Sequence, residues 1–453
     1  MRASSFYAGA AAVEVTPPLG TLINGDFIAH YARYVHDPLY AKALVLKQPN
    51  AMVAIVVVDI CAMTAPFLDD IKAVIFQRTG IPVENILISS THTHAAGSVT
   101  DVHLSGADLG YRQQLPGLIV QAVVAACEKL RPAKLGWGDV DAPEHMVCRR
   151  YRMQEGYLAY NPVTGMADEV KTNPVGDEKM IMNRVAVPDP QLSYLAIQGT
   201  DSSWIALLGN YGLHYVGDWE NGTLSADYFG VFSRHMRELL QADDNFIAMM
   251  SNGTSGDVNI WDFLDDTRYP KAHFKKSEMI GNALAQKVFH SVSEIIWEDD
   301  PVLAALYDTV PVTARKPAAA ELEEAKRRVA QTAYENIEAN GEGLKSIYAR
   351  EQVLLNEYPD QLGCQVQALR IGSGVIGGLA GEFFASTGLW LKAQSPIRYF
   401  TISLANGNAG YVPPAHEMAK GGYETWRCRI SCLEIAAEDI IRKRLLQMIQ
   451  QLA

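Results

Sequence analysis

The chain has 453 residues, 48% of them hydrophobic, and a formal net charge of −12 from 51 acidic and 39 basic side chains. That length and apolar content support a large buried core. The acidic balance argues against a nucleic-acid or anionic-membrane surface, so a small-molecule substrate is expected, with no nucleic-acid partner and no stable membrane association. Six scattered cysteines suit a reducing compartment, no apolar run approaches the roughly 20 residues of a bilayer span, and the first residues lack a secretory pattern. The expected location is the cytoplasm, and self-association into a homo-oligomer is left open.

In chain order, residues 54–59 read as a fully buried strand, 67–78 as a helix and 85–89 as the returning strand, a βαβ pattern. Directly after it comes Ser90-Thr91-His92-Thr93-His94. Two imidazoles at i and i+2 on a strand exit can meet one small target. Sites in open α/β sheets gather at carboxyl ends of strands, and neutral imidazole is the commonest protein ligand for zinc. For an isolated HxH the commoner reading is two histidines satisfied by loop backbone, so the rest of the chain must decide.

A helix is expected over 111–130, ended by Pro132, with short strands near 135–137 and 146–153. Strands at 193–197 and 204–208, around Gly199-Thr200-Asp201-Ser202, predict an antiparallel hairpin whose second strand runs on toward His214. Helical periodicity returns at 228–240 and 274–295, with a strand at 246–250 between them. The segment 317–358, rich in Ala, Glu, Lys and Arg, predicts a solvent-facing helix or helical pair and is the most insertion-like part of the chain. Strands at 365–371 and 375–379 form a second hairpin, another follows at 399–404, and 432–452 closes as an amphipathic helix. The expectation is an α/β fold, with mixed β-sheets flanked by helices in one large multilayer catalytic domain over 1–453.

Three further positions stand at predicted strand exits: His214 in Gly209-Asn210-Tyr211-Gly212-Leu213-His214, Glu382 in Ala380-Gly381-Glu382-Phe383, and Tyr411 in Asn408-Ala409-Gly410-Tyr411-Val412. Each alone has an ordinary explanation as a hydrogen-bonded histidine, a helix-capping glutamate or a packed tyrosine. Cys428 and Cys432 lack a second pair and read as buried thiols.

Together these segments resemble the catalytic domain of the neutral ceramidase family, a group of zinc-dependent amidases. The resemblance is carried by Thr16-Pro17-Pro18-Leu19-Gly20, His36-Asp37-Pro38-Leu39-Tyr40-Ala41-Lys42-Ala43, Ser89-Ser90-Thr91-His92-Thr93-His94 and Arg149-Arg150. It continues through Pro188-Asp189-Pro190, Ser251-Asn252-Gly253 to Gly256-Asp257, Gly381-Glu382-Phe383, and Gly410-Tyr411-Val412 followed by Tyr423-Glu424, in the family's order. It implies one zinc ion per chain, ligated by His92, His214, Glu382 and Tyr411. His94 would transfer protons or stabilise charge beside the ion, and Arg149 and Tyr423 would stabilise an oxyanion. Asp59 would either orient a ligand histidine or cap a turn.

Two departures shape the expectation. Gly256-Asp257-Val258-Asn259 places an amide where the family carries a serine once proposed as nucleophile. A covalent serine mechanism is therefore not expected, although Asn259 can donate to a carbonyl oxygen. The family's appended sandwich-like domain and export signal are also not seen. The sequence thus predicts a zinc-dependent hydrolase acting on an amide, lactam or ester bond of a small polar substrate. A true ceramidase and a metal-free binding protein are the rivals. Arg149 and Arg150 offer planar donors to that substrate, unless Arg150 is a solvated strand residue.

Overall fold

A computed structural model describes residues 5–23 and 25–453. Strands β1 (Tyr7–Glu14), β2 (Tyr40–Gln48) and β3 (Ala51–Val58) are followed by helix α1 (Ala65–Thr79), strand β4 (Ile86–Ser90) and helix α2 (Leu109–Glu128). Next come β5 (Arg131–Asp141), the hairpin β6 (Gln191–Gly199) and β7 (Trp204–Tyr211), α3 (Asp227–Leu239), β8 (Ile247–Asn252) and α4 (Lys275–Ser291). These strands form an eight-stranded sheet in the order β8-β7-β6-β5-β1-β2-β3-β4. After β9 (Leu303–Thr313) come α5 (Ala319–Ala330), α6 (Gly341–Asn356), β10 (Gln361–Ile371), β11 (Gly374–Leu379), α7 (Ala385–Gln394), β12 (Arg398–Ser403) and α8 (Ala437–Leu452). The four strands of this half pair in the order β9-β10-β11-β12.

The apolar runs at β2 and β3 are continuous because both faces of the sheet are covered. Ala43, Val45, Val56 and Val58 pack toward α1 and α2. The alternate residues Leu44, Leu46, Ile55 and Val57 pack against Leu369, Ile376 and Phe400 of the second sheet. Helices α3 and α4 cover the other end of the first sheet through Phe232, Met236, Ile280 and Leu284. The outer face of the second sheet is closed by Leu391, Ile441 and Leu445 of α7 and α8. The layers run helix, sheet, sheet, helix, and the class is α/β with mixed sheets.

Three local readings are corrected. The segment 317–358 does give two helices, but α6 is not simply solvent-facing, since Tyr348, Glu351 and Leu355 are buried. The strand expected over 146–153 is broken into Val147–Cys148 and Arg150–Met153, because Arg149 N turns out to bond the Asp257 carbonyl at 2.9 Å. The last helix starts at Ala437, since Leu433 forms a bridge with Ala314.

What positions the site is the set of parallel pairs, β3 with β4, β7 with β8 and β11 with β12. The segments leaving their carboxyl ends carry His92, His214 and Glu382. Among the described residues no helix is long and apolar enough to cross a membrane.

Candidate metal centre

His92 is held by backbone before its ring does anything. Thr91 N donates to Val58 O and His92 N to Ile60 O, both at 2.9 Å, tying the exit of β4 to that of β3. His92 takes a left-handed φ of 72°, a conformation uncommon outside glycine and one that persists only where its surroundings impose it. Its Nδ1 donates to the Cys61 carbonyl at 2.8 Å, which leaves Nε2 facing Glu382 Oε2 at 3.4 Å and His94 Nε2 at 3.3 Å. His214, past the end of β7, brings its ring centroid to 4.8 Å from that of His92.

Glu382 opens a short strand, Glu382–Phe383, paired in parallel with Tyr411–Val412 so that Glu382 stands opposite Tyr411. Partners in register project to the same face. The turn after β8 closes on this strand: a Cβ at Gly256 would lie 2.6 Å from the Glu382 carbonyl oxygen, so only glycine fits.

Ligand atoms of His92, His214 and Glu382, all buried, lie within 4.8 Å of one another, and Cys61, His92 and His94 form a second, overlapping group. Glu382 Oε2 is buried and accepts no hydrogen bond, with the His92 ring at 3.4 Å, and a buried carboxylate in that condition needs a cation, supplied by a protonated His92 or by a metal ion that His92 and Glu382 share. Two imidazoles and a carboxylate are a donor set that suits zinc, with the Tyr411 phenol on the adjoining strand. On these grounds the residues fit a divalent metal.

The electrostatics are strongly coupled. Burial opposes protonation of His92, but the Glu382 carboxylate and the Cys61 sulfur outweigh it and raise its pKa well above the usual value. Burial, then the charges of His92 and Arg149, push His94 well below its usual value. His94 also stacks on Tyr215, with centroids 3.6 Å apart. His214 is lowered by burial and by Arg149. Arg149 stays charged: burial is outweighed by Tyr411, Glu424 and Glu382. Its Nε donates to Glu424 Oε1 at 2.7 Å and its Nη2 to the Gly256 carbonyl at 2.7 Å, while Nη1 stands 3.4 Å from His214 Nε2. Its guanidinium lies 5.3 Å from the Tyr411 ring centroid, and the Tyr423 ring is 5.6 Å from Tyr411. Burial raises both phenols well above their usual pKa.

Six of the residues singled out by sequence are therefore linked by contacts at one place, namely His92, His94, His214, Glu382, Arg149 and Tyr411, with Tyr423 packed at the edge. Asn259 is placed differently. Its Nδ2 donates to Asn173 Oδ1 at 2.9 Å, and its Oδ1 accepts from Ile260 N at 2.7 Å and Trp261 N at 3.2 Å. One reading is corrected: Arg150 is neither a substrate donor nor solvated, since it is fully buried and bonded to Glu417, Glu424 and the Gly421 carbonyl. Of the two roles open to Asp59 the structure has the backbone-capping one, since Asp59 accepts from Tyr40 N at 2.9 Å, and the Cys61 carbonyl is what orients His92. Sequence reasoning missed Cys61, Tyr215 and the roles of Glu417 and Glu424. Only their places next to strand exits or inside the Tyr423-Glu424 pair offered a signal.

No family model and no curated protein matches the sequence. Solved structures do. Over 99% of this chain and 74% of the other, the fold superposes on neutral ceramidase from Pseudomonas aeruginosa with a TM-score of 0.72 at 15% identity. A structure described as a ceramidase complexed with C2 gives a TM-score of 0.69 at 16% identity, over 99% of this chain and 75% of that one. The chain has a neutral ceramidase-like fold.

Proposed function

We propose that this neutral ceramidase-like fold carries a zinc-dependent hydrolase that cleaves an amide, lactam or ester bond of a small, polar substrate. The observation that carries the reading is the convergence of buried His92, His214 and Glu382, with the Glu382 carboxylate oxygen otherwise unpartnered. His92, His214, Glu382 and Tyr411 would hold one ion per chain. Bound there, a zinc ion supplies Lewis acidity that eases ionisation of water and polarises a carbonyl.

The chain's own groups do the rest. Arg149 is fixed through Nε and Nη2, so Nη1 is presented in one orientation toward the centre, suited to an oxyanion. Tyr423, neutral at ordinary pH because burial raises its pKa, keeps a hydroxyl proton to donate. His94, neutral for the opposite reason, is able to accept a proton from water and return it to the leaving group. Asn259 has no hydroxyl, so it supplies no nucleophile for a covalent intermediate, and attack by water is the step proposed.

The reading of a small, polar substrate rests on the cavity beside His94. It measures about 340 Å³, and Asp26, His30, Tyr215, Trp219 and Trp261 contribute to its wall. That is the low end of small-molecule sites, and an Asp26–His30 pair at 3.0 Å stands in it. The test is a screen of the metal-loaded protein against short polar N-acyl compounds, lactams, lactones and long-chain ceramide in detergent. Turnover of the first three groups supports the reading. Efficient turnover of long-chain ceramide alone would replace it with ceramidase activity.

A further inference from the structure

A second cavity, of about 480 Å³, opens where α3, the end of α2 and strands β1, β2 and β8 meet, and it shares no residue with the metal centre. It exists because β1 pairs with β5 only at Tyr7 and Ala8, which leaves the edge beyond them uncovered and Ala12 exposed. Lys42, Lys129, Arg234 and Arg237 line it, against Glu238 and Asp244. Both acids already face cationic or ionisable neighbours: Asp244 pairs with Arg237 at 3.1 Å and Glu238 with His235 at 3.2 Å. In a chain of net charge −12, this concentration of cations runs against the overall balance.

Lys42 makes the cavity more than a basic surface. Its side chain rises from near the start of β2 and the residue is only 6% exposed. The ammonium donates to Ser233 Oγ at 2.9 Å, and that hydroxyl donates onward to the Phe229 carbonyl at 2.9 Å. Among the described residues it has no ion pair; the ammonium also lies 6.0 Å from the Tyr40 ring centroid and feels the charge of buried Asp59, and its remaining N–H donors can turn to a ligand. A desolvated ammonium with spare donors, beside two guanidiniums that bind oxyanions in a bidentate manner, matches a phosphate group. Tyr40 and Phe246 supply apolar wall for an organic remainder.

The cavity is also wired to the metal centre. Arg234 Nη1 lies 3.2 Å from Asp37 Oδ2, and Asp37 Oδ1 accepts from Ser225 Oγ at 2.6 Å. The Ser225 carbonyl accepts from Thr93 Oγ1 at 2.7 Å, and Ser225 N donates to the Ala95 carbonyl at 3.0 Å. Thr93 and Ala95 flank His94. An anion that engages Arg234 competes with Asp37 for its guanidinium, and Asp37 holds the segment that fastens this turn.

We propose that the α3 cavity binds a small metabolite carrying a phosphate group, and that its occupancy is felt at the Thr93–Ala95 turn through Arg234, Asp37 and Ser225. The test is calorimetric titration of the full chain, freed of metal, with pyrophosphate. One site per chain is expected, weakened at least about tenfold in Lys129→Glu and in Arg237→Glu, both surface changes, and retained in His92→Ala. Absence of binding, or wild-type affinity in both charge-reversed variants, would overturn the site. Loss of binding in His92→Ala would do so too, by placing the anion at the histidine and arginine centre. Hydrogen exchange of residues 91–96 tests the coupling: it should change on saturation of the wild type and not in Arg234→Gln. Unchanged exchange in the wild type overturns the coupling.

Discussion

Arg149 and Glu424 meet through Nε and Oε1 at 2.7 Å, and the second oxygen of the same carboxylate takes Arg150 Nη1 at 2.8 Å. All three side chains are buried. One carboxylate therefore fixes the guanidinium that faces the candidate metal centre and, with Glu417, neutralises the one behind it. Burial favours its protonated form, but the two guanidiniums hold its pKa below the usual carboxylate range. Glu424→Ala leaves buried Arg149 without its carboxylate and Arg150 with Glu417 alone, so a loss on the order of 3–5 kcal/mol is expected in denaturant unfolding. A change below about 1 kcal/mol would show that the pair is not structural.

Arg149 and Tyr423 should separate from Asn259 in kinetics. Arg149→Ala and Tyr423→Phe are each expected to lower kcat/KM on the order of 10²-fold while metal content stays stoichiometric. Asn259→Ala is expected to cost about 1 kcal/mol of stability, since its oxygen caps Ile260 and Trp261 N–H, and to weaken turnover without abolishing it. A loss equal to that of Arg149→Ala would place Asn259 at the reacting atoms, and an acyl-enzyme in intact mass spectra would refute the water mechanism.

His103 gives a pH dependence that does not involve the centre. It is buried, stacked on Phe27 at 4.3 Å, with neither ring nitrogen hydrogen-bonded. Burial lowers its pKa to about 4, against a smaller opposing pull from Glu351. The unfolded chain takes up this proton near pH 6.5, so below that value the unfolded state binds a proton the native state refuses. The contribution is fully present above pH 6.5 and falls by roughly 3 kcal/mol as pH drops through to about 4. His103→Asn tolerates the left-handed φ of 46° and should flatten the slope of unfolding free energy between pH 6.5 and 4.5. An unchanged slope would assign it to other groups.

The strands and the chemistry-bearing residues were legible because their signals are local. Continuous apolar runs announced β3 and β4, and His92, His214 and Glu382 each stand at the exit of an expected strand. What sequence could not show was long-range partnership. Arg150 reads as a donor next to Arg149 until Glu417 and Glu424, more than 260 residues away, are seen to enclose it. Asp59 looks like a histidine's partner until backbone pairing gives that place to the Cys61 carbonyl. The break at Arg149 has the same origin, since the Asp257 carbonyl that draws its N–H outward lies in another part of the chain.

Substrate size offers a further check. If the cavity beside His94 sets selectivity, Trp261→Ala should widen it and raise turnover of N-acyl compounds with longer chains relative to short ones, read as a ratio of kcat/KM values. A ratio unchanged within twofold would move the selectivity elsewhere.

The most direct test is elemental analysis of purified wild-type, His92→Ala and His214→Ala proteins, each shown by circular dichroism to be folded. The account predicts about one zinc per chain in the wild type and near-total loss in both variants, because removal of one ligand from so small a set weakens binding steeply. Near-full zinc in both variants, or a wild-type protein that hydrolyses its substrate undiminished after complete metal removal, would contradict it.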